Sequence, residues 1–230
     1  MRPGAALMAE LPVAGLLVAG LLVVGLLGAG RAHAQSADSS DEWRPAPDSV
    51  SRHAVQLWSG YSPGSVKLFG TIEGVRFGAV GVRYLRRFRQ HAGGSRTVAY
   101  TADVLPLVWM TYAPVRGAPK AAQRRGWRTL RGVGLTPAGL RMRGRLGHRW
   151  QPYFEGGLGF VYFSGPLPDR RGERFNLTFR VGVGVRVEAG AHTAFKLGYR
   201  FHHLSNGFRG RINPGFDSNL FHLGLTWAWF

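Results

Sequence analysis

Apolar and polar residues alternate along most of the chain beyond residue 52. The run from Phe175 to Val187 shows this most clearly. Phe175, Leu177, Phe179, Val181, Val183, Val185 and Val187 fall on one face of an extended strand, and Asn176, Thr178, Arg180, Gly182, Gly184 and Arg186 fall on the other. The same period of two predicts eight strands, at 53–61, 76–88, 97–110, 132–145, 149–163, 175–188, 193–204 and 218–230. Connections after odd strands run 62–75, 111–131, 164–174 and 205–217, whereas those after even strands, 89–96, 146–148 and 189–192, are shorter. Alternation alone fits a soluble sandwich as well as a barrel. Long loops at one end and short turns at the other predict an all-β fold, an eight-stranded antiparallel transmembrane β-barrel whose chain starts in the periplasm. The last strand agrees, with Phe221, Leu223, Leu225, Trp227 and Trp229 in one stripe and Phe230 at the end. Trp109, Tyr112, Trp150, Tyr153, Trp227 and Trp229, near strand ends, are expected in the interfacial girdles.

Ahead of the strands, Arg2, an apolar run from Leu11 to Gly30, and Ala32-His33-Ala34 have the layout of a signal peptide over residues 1–34, cleaved after Ala34. Residues 35–52 are rich in Ser, Asp, Glu and Pro and read as a mobile N-terminal tail. The expected functional domain is therefore the barrel of residues 53–230. If lipid surrounds its apolar faces, the opposite parity fills the lumen with Arg83, Asp103, Arg141, Arg143, Glu155, Arg180, Arg186, Lys196 and Arg200. Asp103 and Glu155 are then counter-ions to these cations, and eight strands leave little room for a wide channel.

Composition narrows the function. The chain has 30 Lys and Arg against 12 Asp and Glu, a formal charge of +18, and 45% hydrophobic residues. That excludes an acidic solvating protein and a disordered one. The basic excess lies almost entirely beyond residue 34 and points to an anionic membrane surface or glycolipid, since export and missing recognition motifs argue against nucleic acid. With no Cys there is no disulfide, thiolate nucleophile or Cys-ligated metal. The His and acidic residues show no metal-ligand spacing either, so no metal and no cofactor is expected.

Candidate chemistry sits at the loop end of the last two strands. His203 and Ser205 share the parity of Phe195, Leu197, Tyr199 and Phe201, and Asp217 shares that of Asn219, Phe221 and Leu223, so all three are expected on the lipid-facing side. Neighbouring antiparallel strands can bring them together. A Ser hydroxyl becomes a nucleophile when an imidazole takes its proton, and a carboxylate fixes the tautomer of that imidazole. On spacing alone, a polar pair resting at the headgroup boundary is the simpler account. His202, of opposite parity, is expected in the lumen.

Tyr199-Arg200-Phe201-His202-His203-Leu204-Ser205-Asn206, continued by Asn213-Pro214-Gly215 and Asp217-Ser218, resembles the C-terminal signature of the lipid A 3-O-deacylase (acyloxyacyl hydrolase-like) family. A weaker likeness extends through Asp103-Val104-Leu105-Pro106-Leu107 and Pro152-Tyr153-Phe154-Glu155-Gly156-Gly157. The resemblance implies an eight-stranded outer-membrane barrel that removes the ester-linked acyl chain at the 3-position of lipid A from a site on the barrel's outer surface. By position, His203 matches the general base and Ser205 the nucleophile. Asp217 falls where the pattern has Glu, which shortens the reach by one methylene, so that orienting His203 calls for a shifted backbone or a water. Asn206, with the amides of Gly207 and Phe208, is expected to form the oxyanion hole, although Gly207-Phe208 stands where the pattern has Ala-Gly.

The expected partner is lipopolysaccharide, whose lipid A acyl chains lie against an outward site that faces the outer leaflet of a Gram-negative outer membrane. Arg116, Lys120, Arg124, Arg125, Arg128 and Arg131 in the second long loop are candidates for its phosphates, and Arg209 and Arg211 are better placed for a specific one. The rival reading is a non-enzymatic structural or adhesive barrel, and a second rival is an esterase of glycerophospholipids. The sequence leaves the oligomeric state open, a homodimer included.

Overall fold

The computed structural model describes residues 52–88, 96–115, 117–144, 149–190 and 192–229. The expected signal peptide, nearly all of the expected tail, and Phe230 lie outside the described residues. Eight strands follow in chain order: β1 (His53–Ser62), β2 (Arg76–Arg87), β3 (Thr97–Tyr112), β4 (Arg128–Arg143), β5 (Trp150–Leu167), β6 (Glu173–Glu188), β7 (Thr193–Ser205) and β8 (Phe216–Trp229). A six-residue helix, α1 (Lys120–Arg125), lies between β3 and β4. Each strand pairs antiparallel with the next, and β8 closes onto β1 from His53↔Trp229 to Tyr61↔Phe221. Closure leaves no unpaired edge, as a lipid-embedded sheet requires.

The strands outrun their predicted bounds at the long-loop end. β4 begins at Arg128, β5 reaches Leu167 and β8 begins at Phe216, so the β5–β6 connection contracts to 168–172. Beyond the membrane a ladder needs no apolar alternation, and the pattern that marks the strands fades there. Arg128 and Arg131, expected in a loop, are therefore strand residues. Arg128 donates to the carbonyls of Pro166 and Pro168, at 3.0 and 3.2 Å. Arg116 lies outside the described residues.

Outward positions are apolar and exposed, including Leu140, Leu158, Val183, Leu197 and Phe221. This continuous apolar wall identifies a transmembrane barrel. Inward, all nine ionisable residues assigned to the lumen by parity are buried. Asp103 accepts from Arg83 at 2.8 Å and also pairs with Arg180. Glu155 gathers Arg83 at 2.6 Å, Arg141 at 3.0 Å, Lys196 at 2.7 Å and Arg200 at 2.8 Å. Toward the long-loop end this ionic layer gives way to an apolar plug, which includes Phe77, Val108, Met110, Phe163, Leu204 and Phe216.

Two register shifts make that change possible. The β3–β4 pairing slips between Leu105 and Val108, and the β4–β5 pairing between Leu135 and Ala138. Pro106 and Pro137 occupy the slips, where a residue without an N–H costs no ladder bond. Past Pro106 the inward parity of β3 switches from Asp103 and Leu105 to Val108, Met110 and Tyr112. Tyr112 is thus an interior residue, not part of a girdle, and its hydroxyl donates to the Pro168 carbonyl at 2.8 Å. Tyr153 shares the parity of Glu155 and is also buried, which corrects its expected place in a girdle. Trp150 and Trp229 are exposed at the short-turn end.

Candidate active site

β7 and β8 pair in register with His203 directly opposite Asp217. Their side chains therefore leave the same face of the sheet, and His203 Nδ1 lies 2.6 Å from Asp217 Oδ1. The contact is direct, so the short Asp side chain reaches the imidazole without an intervening water. An ionised carboxylate has no proton to give, so Nδ1–H donates and Nε2 is left as an acceptor. Ser205 is two residues further along β7, about 7 Å along the strand, and shares the outward parity of His203. Both are half-buried. His202 points the other way, is buried, and packs 5.0 Å from the Phe77 ring, in the lumen as its parity predicts.

The imidazole sits among rings. Phe179 on β6 lies across the strand pair from His203, with ring centroids 5.3 Å apart, and Phe69 of the β1–β2 connection meets it edge-on at 5.7 Å. Asp217 is fully buried, although its strand face looks outward. The cover comes from residues 63–75, which fold against the outer wall. Leu68, Phe69 and Gly70 each donate a backbone N–H to Asp217 Oδ2, at 2.7, 2.8 and 2.8 Å. Sequence reading missed this loop. Its amide donors are separated from Asp217 by 147 to 149 positions, and its mixture of glycines with Val66, Leu68, Phe69, Ile72 and Val75 has no period that points to a partner.

The connection after Ser205 turns sharply. Gly207 and Phe208 both have positive φ, 63° and 60°, and the Arg209 N–H returns to the Asn206 carbonyl at 3.4 Å. This is the signature of a type I′ turn. Gly207 takes that conformation at no steric cost, whereas Phe208 is held in it with its ring almost wholly exposed. Asn206 departs from the expected role. It is buried, its backbone N–H donates to Asn213 Oδ1 at 2.9 Å, and its side-chain amide donates to the Ile212 carbonyl at 2.7 Å. Asn206 thus braces the β7–β8 connection, and the Gly207 and Phe208 amides are left as the oxyanion candidates beside Ser205.

Of the two nearby arginines, Arg209 is tethered. Its guanidinium donates to the carbonyls of Asn206 and Phe175, at 2.9 and 2.8 Å, and lies 4.5 Å over the Phe175 ring. Arg211 is exposed. In the β3–β4 connection Lys120 and Arg124 are also exposed. Asp103 and Glu155 stand in the lumen network, on the far side of the wall from His203.

A family model described as lipid A 3-O-deacylase (PagL) matches residues 97–226, more than half of the chain. The chain belongs to the lipid A 3-O-deacylase family. The match takes in β3 to β7 and most of β8, with His203, Ser205 and Asp217 inside it, while residues 63–75 fall outside. Among solved structures, the crystal structure of the outer membrane enzyme PagL has a TM-score of 0.50 at 15% identity, covering 74% of this chain and 97% of that one. The crystal structure of Neisserial surface protein A (NspA) has a TM-score of 0.46 at 15% identity, covering 78% and 98%. No curated protein matches. At such identity the PagL likeness bears on the fold alone, and the family assignment rests on the family model.

Proposed function

We propose that this chain is an outer-membrane serine esterase that hydrolyses the ester-linked acyl chain at the 3-position of lipid A. The observation that carries the reading is the direct 2.6 Å contact of His203 with Asp217 on the apolar outer wall, with Ser205 next on the same strand face. Polar groups at such a wall are costly unless used. An adhesive or structural barrel has no need of an imidazole held in one tautomer by a carboxylate that is itself triply hydrogen-bonded.

In this reading His203 Nε2 takes the proton of Ser205 Oγ as the hydroxyl oxygen attacks the ester carbonyl. The tetrahedral oxyanion is held by the amides of Gly207 and Phe208. Collapse expels the 3-hydroxyl of the glucosamine, which takes the proton from His203 and leaves the acyl chain on Ser205. Water, deprotonated by the same imidazole, then releases the fatty acid and regenerates the serine. Asp217 stays ionised throughout and steadies the imidazolium. The site faces the outer leaflet, with acyl chains along the wall and phosphates near the loops, where Arg211 and, through any donors left by its tethers, Arg209 meet them.

Mass spectrometry of purified lipid A incubated in detergent with the refolded protein tests the proposal, with Ser205→Ala alongside. The expected result is loss of one 3-hydroxyacyl chain from the 3-position with the wild type only. Full activity in Ser205→Ala would sink the nucleophile assignment. Unchanged lipid A with a well-folded wild-type barrel would favour a non-enzymatic role, and release from glycerophospholipids instead would make it a phospholipid esterase.

A further inference from the structure

We propose that the β1–β2 loop is a positioning clamp for the triad carboxylate. In this view the backbone N–H groups of Leu68, Phe69 and Gly70 hold one oxygen of Asp217 so that the other stays on His203. The inference rests on the triad reading above and deepens it.

Three amides converging on one oxygen form an anion-binding nest. The two carboxylate oxygens are thereby given separate tasks: Oδ2 takes the three loop amides and Oδ1 takes His203 Nδ1. Without the loop, Oδ2 would lose the three amides that bind it, and rotation about the last bond of the carboxylate would be unrestrained. The charge could not stay buried there unaided.

The loop is fixed by contacts of its own. Thr71 donates both its backbone N–H and its hydroxyl to the Pro214 carbonyl, each at 2.8 Å. Ser65 ties the two limbs of the loop, donating its hydroxyl to the Ile72 carbonyl and accepting from the Val75 N–H, each at 3.1 Å. Phe69 packs edge-on against Phe179 and Phe201 as well as His203. At Gly70 the loop touches the β7–β8 connection so closely that a Cβ would stand 2.9 Å from the backbone of Gly215 and Phe216. Ile72 and Val75 anchor the end of the loop in the buried apolar cluster, whereas the side chains of Leu68 and Phe69, whose amides meet Asp217, remain 66% and 60% exposed. At Leu68–Gly70 it is thus the backbone, not a packed side chain, that meets Asp217.

The test is a double-mutant cycle. Gly70→Ala forces the loop off the Gly215 backbone, and Leu68→Pro deletes one donor while disturbing little packing, so each checks the other. Both are measured with native Asp217 and with Asp217→Ala, which removes the clamped group, by steady-state lipid A hydrolysis in detergent, with heat-modifiable electrophoresis to count folded barrels. A clamp that acts through Asp217 lowers kcat about 10- to 100-fold with KM nearly unchanged in the native background, and changes it less than about twofold beside Asp217→Ala. Equal losses in the two backgrounds, or no loss from either variant in the native one, would overturn the clamp. Ser205→Ala in the same assay separates this from failure of the triad reading: an active Ser205→Ala overturns the triad, whereas an inactive one with additive losses overturns the clamp alone.

Discussion

Gly215 lies against the His203 imidazole, where an added Cβ would stand 3.0 Å from His203 Cε1. Its φ of +63° is also one that side chains other than glycine seldom adopt. Gly215→Ala is therefore expected to tilt the imidazole and to strain the turn. Stability should fall by about 1 kcal/mol, and kcat by more than tenfold, because a small misplacement of a catalytic base is costly. Activity per folded barrel and a denaturant titration check the two effects separately.

Asp217→Asn keeps the shape of the site and changes its proton inventory. The Asn carbonyl oxygen can still face the loop amides, which turns its NH2 toward His203 Nδ1. That imidazole must then accept at Nδ1 and carry its proton on Nε2, the nitrogen meant to receive the serine proton. A loss of about 10⁴-fold in kcat is expected, as for the equivalent exchange in a Ser-His-Asp triad. Asp217→Glu should also lose activity, because its extra methylene drives the carboxylate into the Leu68–Gly70 amides. An Asn variant within tenfold of wild type would remove Asp217 from the mechanism.

Glu155→Gln separates stability from chemistry. Arg83, Arg141, Lys196 and Arg200 all meet Glu155 inside the barrel, and neutralising it leaves them facing one another. Removing one partner of a buried ion pair costs about 3–5 kcal/mol. The variant should unfold at a lower denaturant concentration, while the folded fraction hydrolyses lipid A within about twofold of wild type. A large loss of activity in fully folded barrels would tie the lumen network to the site.

Leu197→Arg probes the wall itself. Leu197 is 67% exposed on the outer face of β7, and its neighbour Lys196 is buried in the lumen. A cation on the lipid side near the middle of the bilayer costs about 2–4 kcal/mol. Folding into vesicles should be weakened by that amount, as read from equilibrium unfolding in lipid. A neutral outcome would mean that no hydrocarbon touches this face.

Much of the barrel is legible in the sequence because a strand with lipid on one side and packed polar side chains on the other must alternate. Arg83, Asp103, Glu155, Lys196 and Arg200 could be assigned to the lumen from parity alone. Parity also predicts a common face for His203, Ser205 and Asp217, and of the three the strand pairing joins His203 and Asp217 by a hydrogen bond. Parity fails where register slips. Pro106 and Pro137 mark the slips, yet nothing in the alternation shows that the inward set changes there, and unbroken parity puts Tyr112 on the wrong face. The loop amides on Asp217 were illegible for another reason. A backbone N–H is common to almost every residue, and its choice of partner across the β8–β1 closure is settled by the fold, not by the identities of Leu68 or Phe69. Asn206 was read from a pattern in which a polar side chain follows the serine, but alternation turns that side chain inward to Ile212.

The ionic layer and the apolar plug occupy the axis of the cylinder. Traffic through its centre is therefore closed, and Ser205 is open to exchange only from the outer face of the wall. In the proposed reaction, reactant would arrive, and both the fatty acid and the shortened lipid depart, by lateral diffusion within a single leaflet. The encounter is two-dimensional, governed by how many lipid molecules border the β6–β8 side at any instant. Throughput should follow the fluidity and composition of that annulus more closely than any bulk concentration.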